Sequence, residues 1–354
     1  MPRSKIIGTG ACIPVNNISN DTFLGNTFFG TDQKVIEQLP ENIIRKFSDI
    51  TGIENRRYAA EGTTASDLGT MASQEAIANS GIDPESIDLI IVAHNYGDMP
   101  FEGAPRDMVP SLASRIKRNL GIKNPKCIPY DIIFGCPGWL QALIQADLAI
   151  RAGEAKNCLV IGTETLSRVL DPTDRDSMIF SDGAGACIVQ REEHEQGGIL
   201  TTAVRSDTQD ELEYIYSAGN NSGTEDIPRF IKMKGRKVYE YALREVPNAM
   251  KECFDKSQRN IEDLKMIFLH QANQKMDGAI LKRFFELYGI SDLPEDKMPM
   301  NISFMGNSSV ATIPTLLSQV LKGELKEFNL KQGDLILFAS VGAGMNINAV
   351  TYEW

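Results

Sequence analysis

Along nearly all of this 354-residue chain, short apolar, β-rich runs alternate with longer amphipathic ones, and the second half echoes the first. The short runs are "KIIGTGACI" near the start, "DLIIVAH" (88–94), "NCLVIGT" (157–163), "GACIVQ" (185–190), "LKMIFLH" (264–270) and "DLILFAS" (334–340). The longer runs, 66–80, 107–119, 137–152, 236–255, 274–288 and 308–322, carry helical spacing. Such alternation predicts an α/β protein with largely buried sheets. "SIDLIIVAHNYGD" rhymes with "EDLKMIFLHQANQ", and "SDGAGACIVQ" with "SVGAGMNINAV". Each half therefore reads as one copy of a βα unit, 1–190 and 191–354, with the seam near "REEHEQGG" (191–198). No long linker parts them, so the halves are expected to form one functional unit with its best cleft between the copies.

Composition narrows the function classes. No apolar run approaches the roughly 18–20 residues that span a bilayer, and "MPRSKIIGTGACIPV" reads as a first strand rather than an export signal. A net charge of −11 disfavours binding to a phosphate backbone, so no nucleic-acid partner is expected. An anionic partner would need a local basic patch, for which "RFIKMKGRK" (229–237) and Lys275, Lys282 and Arg283 are candidates, unless they are ordinary solvated faces. Six scattered cysteines without a CxxC pair argue against a disulfide framework and a zinc site. All but Cys136 read as small buried hydrophobes in a reducing, cytoplasmic compartment.

Cys136 is the exception because of "IIFGCPGWLQALIQ" (132–145). Proline suits a first helical position, so a helix is expected to begin at Pro137 and to stop at Gly153. Cys136 would then occupy the N-cap, where the positive helix end favours a thiolate and lowers its pKa. A buried apolar cysteine ahead of a helix satisfies the same local pattern. His270 closes an apolar strand in "MIFLHQANQ", as either a polar site residue or a core histidine. Asn307 stands at the mouth of a helix in "NISFMGNSSVATIPTLL", beside Gly306, where an ordinary cap would look the same. "SVGAGMN" (340–346) offers closely spaced backbone N–H groups able to face an oxyanion.

Taken in order, these pieces resemble the β-ketoacyl-acyl-carrier-protein synthase III family of thiolase-fold condensing enzymes. "KIIGTGACIP", "TGIENR" (51–56), "LDPTDRDSMIFSDGAGA" (170–186), "HQAN" (270–273), "GNSS" (306–309) and the last "GAG" all fall in register. The resemblance implies a thiolase-like, five-layer α-β-α-β-α sandwich and a homodimer. It further implies that Cys136 takes an acyl group from a thioester, with the oxyanion held by the amides of Cys136 and Ala343 in the Gly342–Ala343–Gly344 loop. His270 and Asn307 would donate to the malonyl thioester carbonyl while carbon dioxide leaves. Two neutral donors suit a developing enolate better than a carboxylate would. Substrates would be CoA or phosphopantetheine thioesters, including malonyl-acyl-carrier protein, with no metal and no further cofactor. Arg175 and Asn273 would meet the pantetheine arm. Lys275, Lys282 and Arg283 would receive an acidic carrier protein.

The relatives separate by residue. A thiolase would carry a second cysteine near "FASVGAG", which has none. Offshoots that skip decarboxylation tend to replace the asparagine, and a non-catalytic partner subunit would not need all three side chains. Departures from the family pattern concern the primer. Lys46 and Ile50 stand where acetyl-CoA-primed members carry Trp and Arg, and Glu240 replaces a carrier-facing lysine. Val109 falls at an acyl-pocket position reached across the dimer, after a long 94–108 connection. Its small side chain implies room for a longer, non-acetyl primer, as in specialised metabolism. Ala343 replaces a usual glycine, so reduced backbone freedom is expected there. His94 is expected to support or line the site rather than to react.

Overall fold

The structure, a computed structural model, describes residues 2–193, 197–223, 229–294 and 296–354; residues 194–196 of the predicted seam lie outside them. Following the chain, the strands are β1 (Arg3–Cys12), β2 (Asn16–Ser19), β3 (Asn55–Tyr58), β4 (Leu89–Ala93), β5 (Ile128–Ile132), β6 (Asn157–Thr165), β7 (Asp182–Glu192), β8 (Gly198–Ser206), β9 (Ile215–Ala218), β10 (Phe230–Met233), β11 (Leu264–Leu269), β12 (Leu335–Gly342) and β13 (Asn346–Glu353). The helices are α1 (Pro40–Thr51), α2 (Ala65–Ser80), α3 (Leu112–Asn119), α4 (Gly138–Ala152), α5 (Gly235–Lys256), α6 (Gln274–Glu286), α7 (Ile302–Met305) and α8 (Thr312–Leu321).

Two sheets carry the fold. The first runs β1-β7-β6-β4-β5 and the second β11-β12-β13-β8. In the first, β4 pairs parallel with β6, β6 antiparallel with β7, and β7 antiparallel with β1. The second repeats that sequence of pairings: β11 parallel to β12, β12 antiparallel to β13, and β13 antiparallel to β8. Among the described residues β5 is the strand without a counterpart, added parallel to β4 at an edge.

The strand residues divide between layers with the pleat's period of two. Ile91, Val160, Met266 and Phe268 face inward, onto Trp139 and Leu143 of α4 and Leu316 and Val320 of α8, in one buried cluster. Ile90, Val92, Leu159 and Ile161 face the opposite way, onto Leu68 and Ala72 of α2 and Leu112 and Ile116 of α3. Ile267, Leu337 and Ile347 likewise meet Met250 of α5 and Phe284 of α6. The layers are therefore α2/α3, sheet, α4/α8, sheet, α5/α6, the predicted five-layer sandwich. Each large apolar side chain so enclosed is worth about 1.5–3 kcal/mol relative to exposure.

Two expected elements differ. The helix predicted over 107–119 begins at Leu112, because Pro110 biases Val109 away from helical backbone and Ser111 caps the first turn. The helix predicted over 308–322 opens with a 3₁₀ turn, Ser309–Ala311, and becomes α-helical at Thr312. Of the five cysteines expected to be buried, Cys127, Cys158, Cys187 and Cys253 are, whereas Cys12 is partly exposed beside Met71.

Two buried cations tie distant segments together. Arg56, the last residue of "TGIENR", has no exposed surface. It donates to the carbonyls of Met178 (3.0 Å) and Ile18 (3.1 Å) and to Asn20 (2.7 Å), with Phe23 under its guanidinium. Lys232 in β10 donates to Asp171, to Asp174 at 3.0 Å and to Asn221 at 2.8 Å. It thereby ties the β9–β10 hairpin to the segment leading to Arg175. Part of the predicted basic patch over 229–237 is thus an internal clamp and not a solvated face.

Candidate active site

Cys136 lies where the chain leaves β5 and enters α4. Pro137 holds the N-cap position (φ −71°, ψ 0°) and the helix begins at Gly138, so Cys136 precedes the cap instead of forming it. Gly153 ends the helix at φ 81°, as its sequence position predicts. The backbone before Cys136 touches the glycine loop of the second half. A Cβ on Gly342 would fall 2.4 Å from the Cys136 nitrogen, and one on Gly135 would fall 2.6 Å from the Ala343 nitrogen. Glycine at both positions is what permits this approach. Ala343 does not carry the loop's left-handed turn. Gly344 (φ 75°) and Met345 (φ 46°) do, so alanine at 343 brings none of the expected loss of freedom.

Cys136, His270, Asn307 and Ala343 line one cavity of about 260 Å³. They come from the β5–α4 junction, the end of β11, the turn after α7 and the end of β12. A second cavity of about 530 Å³ shares Met233, Val238, Ala272, Met276 and Asn307 with the first and forms its vestibule. Lys46, Ile50, Arg175, Arg236 and Asn273 line this vestibule.

The electrostatics overturn one expectation. Burial pushes the Cys136 thiol up to about 11; a hydrogen bond from Ser309 opposes that rise and the nearby Glu164 adds to it. The thiol is therefore not depressed, because desolvation in the cavity outweighs the hydrogen bond. His270 follows the same physics with the opposite sign. Burial draws its pKa down to about 4, so the imidazole is neutral at ordinary pH. Its backbone N–H donates to Ala339 at 2.9 Å, while Nδ1 is buried with no protein partner among the described residues. Asn307 is held on both sides, its N–H donating to Ile179 at 3.0 Å and its carbonyl accepting from Ser181 at 2.8 Å. Its side-chain Oδ1 accepts from the Ser309 N–H at 2.8 Å.

The other predicted residues fall in several places. Asn273 lines the vestibule and also caps α6, its Oδ1 accepting from Met276 at 3.0 Å. Arg175 is about half exposed at the rim, 3.9 Å from Asp176. Lys275, Lys282 and Arg283 are exposed on α6, with Arg283 donating to the Leu243 carbonyl at 3.1 Å and Lys282 3.9 Å from Glu286. Glu240 pairs with Arg236 at 2.8 Å. Val109 is 86% exposed and lines neither cavity of its own chain. His94 is fully buried. Its Nδ1 accepts from Gly97 (3.1 Å), so Nε2 carries the proton facing Asp131 (3.0 Å). Asp131 also accepts the Leu112 and Ala113 amides at 2.8 Å each, so His94 anchors the start of α3.

Asn95, Glu164 and Ser309 escaped the sequence reading. Asn95 Nδ2 donates to Glu164 and, at 3.2 Å, to Ser309 Oγ, and Ser309 Oγ lies 3.4 Å from Cys136 Sγ. Burial pushes the Glu164 carboxyl up to about 8. Asn95 follows His94 just as Gln271 follows His270, and Ser309 ends "GNSS". Those positions were the available signal. Among the described residues no group of His, Cys, Asp and Glu is arranged to hold a metal, and no helix is long and apolar enough to cross a membrane.

Comparison with known proteins adds to this geometry. Residues 130–208 match the family model described as 3-Oxoacyl-[acyl-carrier-protein (ACP)] synthase III, and residues 254–354 match the model of its C-terminal part. A β-ketoacyl-[acyl-carrier-protein] synthase III of Brucella suis is 32% identical over the full length of both chains, and one of Rhizorhabdus wittichii is 31% identical over the full length of both. The crystal structure of 3-oxoacyl-[acyl-carrier-protein] synthase III from Aquifex aeolicus superposes with a TM-score of 0.80 at 32% identity, over 99% of this chain and 100% of that one.

Proposed function

The chain belongs to the 3-oxoacyl-[acyl-carrier-protein] synthase III family, and from that premise we propose that it is a condensing acyltransferase working through Cys136, His270 and Asn307. In the first half-reaction the Cys136 sulfur attacks an acyl thioester and the carrier thiol departs. The amides of Cys136 and Ala343 receive the oxyanion, a role supported by the close backbone approach at Gly342. In the second, His270 and Asn307 donate to the carbonyl of a malonyl thioester on the acyl-carrier protein. Carbon dioxide leaves, the enolate carbon attacks the acyl-cysteine carbonyl, and the β-ketoacyl thioester departs as the Cys136 sulfur is released. A neutral imidazole suits this step, since it presents an N–H without trapping the enolate as an ion pair. The mechanism calls for no metal and no cofactor beyond the CoA or phosphopantetheine of the thioesters.

One observation carries this reading: three side chains from distant segments line a single cavity of about 260 Å³ with a vestibule beside it. Division of the chain into halves 1–190 and 191–354 is supported by the shared order of strand pairings. The vestibule, with Arg175 and Asn273, is the proposed path of the pantetheine arm, and Lys275, Lys282 and Arg283 the docking face for an acyl-carrier protein. The exposed edge strand β5, with Ile128 and Ile133 about half exposed nearby, supports a homodimer. A cytoplasmic location fits the substrates. The assay is release of labelled carbon dioxide from malonyl-acyl-carrier protein in the presence of an acyl-CoA. Acyl-dependent release and a β-ketoacyl product are expected, and release without a condensed product would refute the reading.

A second reading concerns the primer. Lys46 and Ile50 bring neither a ring nor a guanidinium to the vestibule at the two positions where acetyl-CoA-primed members carry Trp and Arg, although Phe47 and Tyr239 also line it. This favours acyl groups other than acetyl, delivered by a carrier or as longer chains. Efficient use of acetyl-CoA with rejection of medium-chain thioesters would refute it.

A further inference from the structure

The hydrogen bonds around the nucleophile have a direction, and it can be read from one unambiguous donor. The backbone N–H of Gly135 donates to Asn95 Oδ1 at 3.0 Å. The other end of that amide is therefore the NH₂, and its two protons go to Glu164 and to Ser309 Oγ. Ser309 Oγ accepts from Asn95, so its single proton is free to point at Cys136 Sγ, 3.4 Å away. Ser309 itself takes φ +54°, a left-handed conformation that a non-glycine residue adopts only when its surroundings impose it. In that conformation its N–H serves Asn307 and its hydroxyl serves Cys136.

We propose that Ser309 is a further catalytic residue, its hydroxyl stabilising the Cys136 thiolate, and that Asn95 is the positioning residue that turns the hydroxyl proton toward the sulfur. The inference rests on Cys136 being the nucleophile of the proposed reaction. His270 is neutral and the thiol lies ahead of the helix cap, so a direct donor to the sulfur meets a need that the other groups leave unfilled. The thiol proton leaves for a base or solvent, while Ser309 keeps its own proton and only shares it. A hydrogen bond to a charged acceptor is about twice as strong as one to a neutral acceptor, so the contact strengthens as the thiolate forms. At the far end of the chain, a carboxyl kept protonated near neutral pH adds no second negative charge beside the sulfur.

The test is the pH profile of Cys136 alkylation by iodoacetamide, read by mass spectrometry with peptide mapping, in wild type, S309A, S309G, N95A and S309A/N95A. The glycine variant is included because it removes the hydroxyl while relaxing the left-handed backbone. Among the described residues His270, Tyr96, Tyr216 and Glu164 are the titratable groups around the sulfur, and all of them remain in these variants. S309A and S309G are expected to slow alkylation about tenfold at fixed pH and to move the midpoint upward by about one unit. N95A should move it in the same direction, and S309A/N95A no further than S309A. An unchanged profile in both serine variants overturns the proposal, and an additive double variant overturns the role of Asn95. Alkylation needs no acyl substrate. A chain that showed these shifts yet accepted no acyl group would refute the condensing reading, and with it the catalytic role, while the stabilisation of the Cys136 thiolate by Ser309 would stand.

Discussion

The side-chain oxygen of Asn307 accepts the backbone N–H of Ser309 at 2.8 Å, which leaves the nitrogen end of the amide as the donor available to the cavity. The orientation of this side chain is thus set by the backbone two residues on. An aspartate there would keep the shape, lose the donor and place a negative charge where the proposed mechanism develops an enolate.

Asn307→Asp should therefore separate the two half-reactions. Transfer of an acyl group to Cys136 should persist, while the yield of β-ketoacyl product falls about 10²–10³-fold, the usual loss for one donor to a developing oxyanion. Parallel mass spectrometry of the acyl-enzyme and of the product checks it. Equal loss of both steps would contradict the assignment.

Glu164 should leave a mark on the pH dependence of stability. Its carboxyl is raised from 4.5 to about 8 in the folded protein, so the folded state keeps a proton that the unfolded state has lost. The associated stability is fully present below about 4.5 and disappears as pH rises through about 8. Glu164→Gln removes that titration. Its melting temperature relative to wild type should climb between pH 5 and pH 8.5, with a free-energy change on the order of a few kcal/mol. A constant difference would mean the carboxyl is ionised throughout. His270 acts in the acidic range, where stability present above 6.5 is lost as pH falls through about 4.

Gly342→Ala tests the contact between the halves. The new Cβ would fall 2.4 Å from the Cys136 nitrogen, so the loop or the nucleophile must shift. Overpacking of this kind costs about 1–3 kcal/mol. Calorimetry should show a lowered melting temperature, and acylation of Cys136 should slow because the two amides no longer converge. Wild-type acylation kinetics would show that Gly342 is no part of an oxyanion site.

Reversing charge on α6 tests the carrier. Lys282→Glu with Arg283→Glu should raise KM for a malonyl-acyl-carrier protein several-fold and steepen nothing for a small acyl thioester, since both side chains are exposed and away from the cavity lining. An unchanged KM would move the docking face elsewhere, with Arg236 at the vestibule the next candidate.

What could be read from the sequence divides along physical lines. Within strands β4 and β11 the stretches Ile90–Ala93 and Met266–Leu269 are buried on both faces and announce themselves as continuous apolar runs, and their resemblance to each other anticipated the matching pairings of the two sheets. β5 was missed because "IPYDI" carries a proline and a charge and lies at a sheet edge, where the pattern weakens. Cys136, His270 and Asn307, which line one cavity, stood out in the sequence because each sits at the end of an apolar element, where a polar or nucleophilic residue is conspicuous. The charge state of the thiol was not legible, since the balance between desolvation and a helix end depends on how deeply the sulfur is enclosed. Nor was the Asn95–Ser309 contact, which joins residues 214 positions apart and whose direction is fixed only by the backbone of Gly135.

The most direct measurement is intact and peptide-level mass spectrometry after incubation with a panel of acyl-CoA and acyl-carrier thioesters. An added acyl mass on Cys136, absent from Cys136→Ala and discharged by malonyl-acyl-carrier protein, is the result expected. An acyl group on no cysteine with any primer, or the same product from Cys136→Ala as from wild type, would contradict the account.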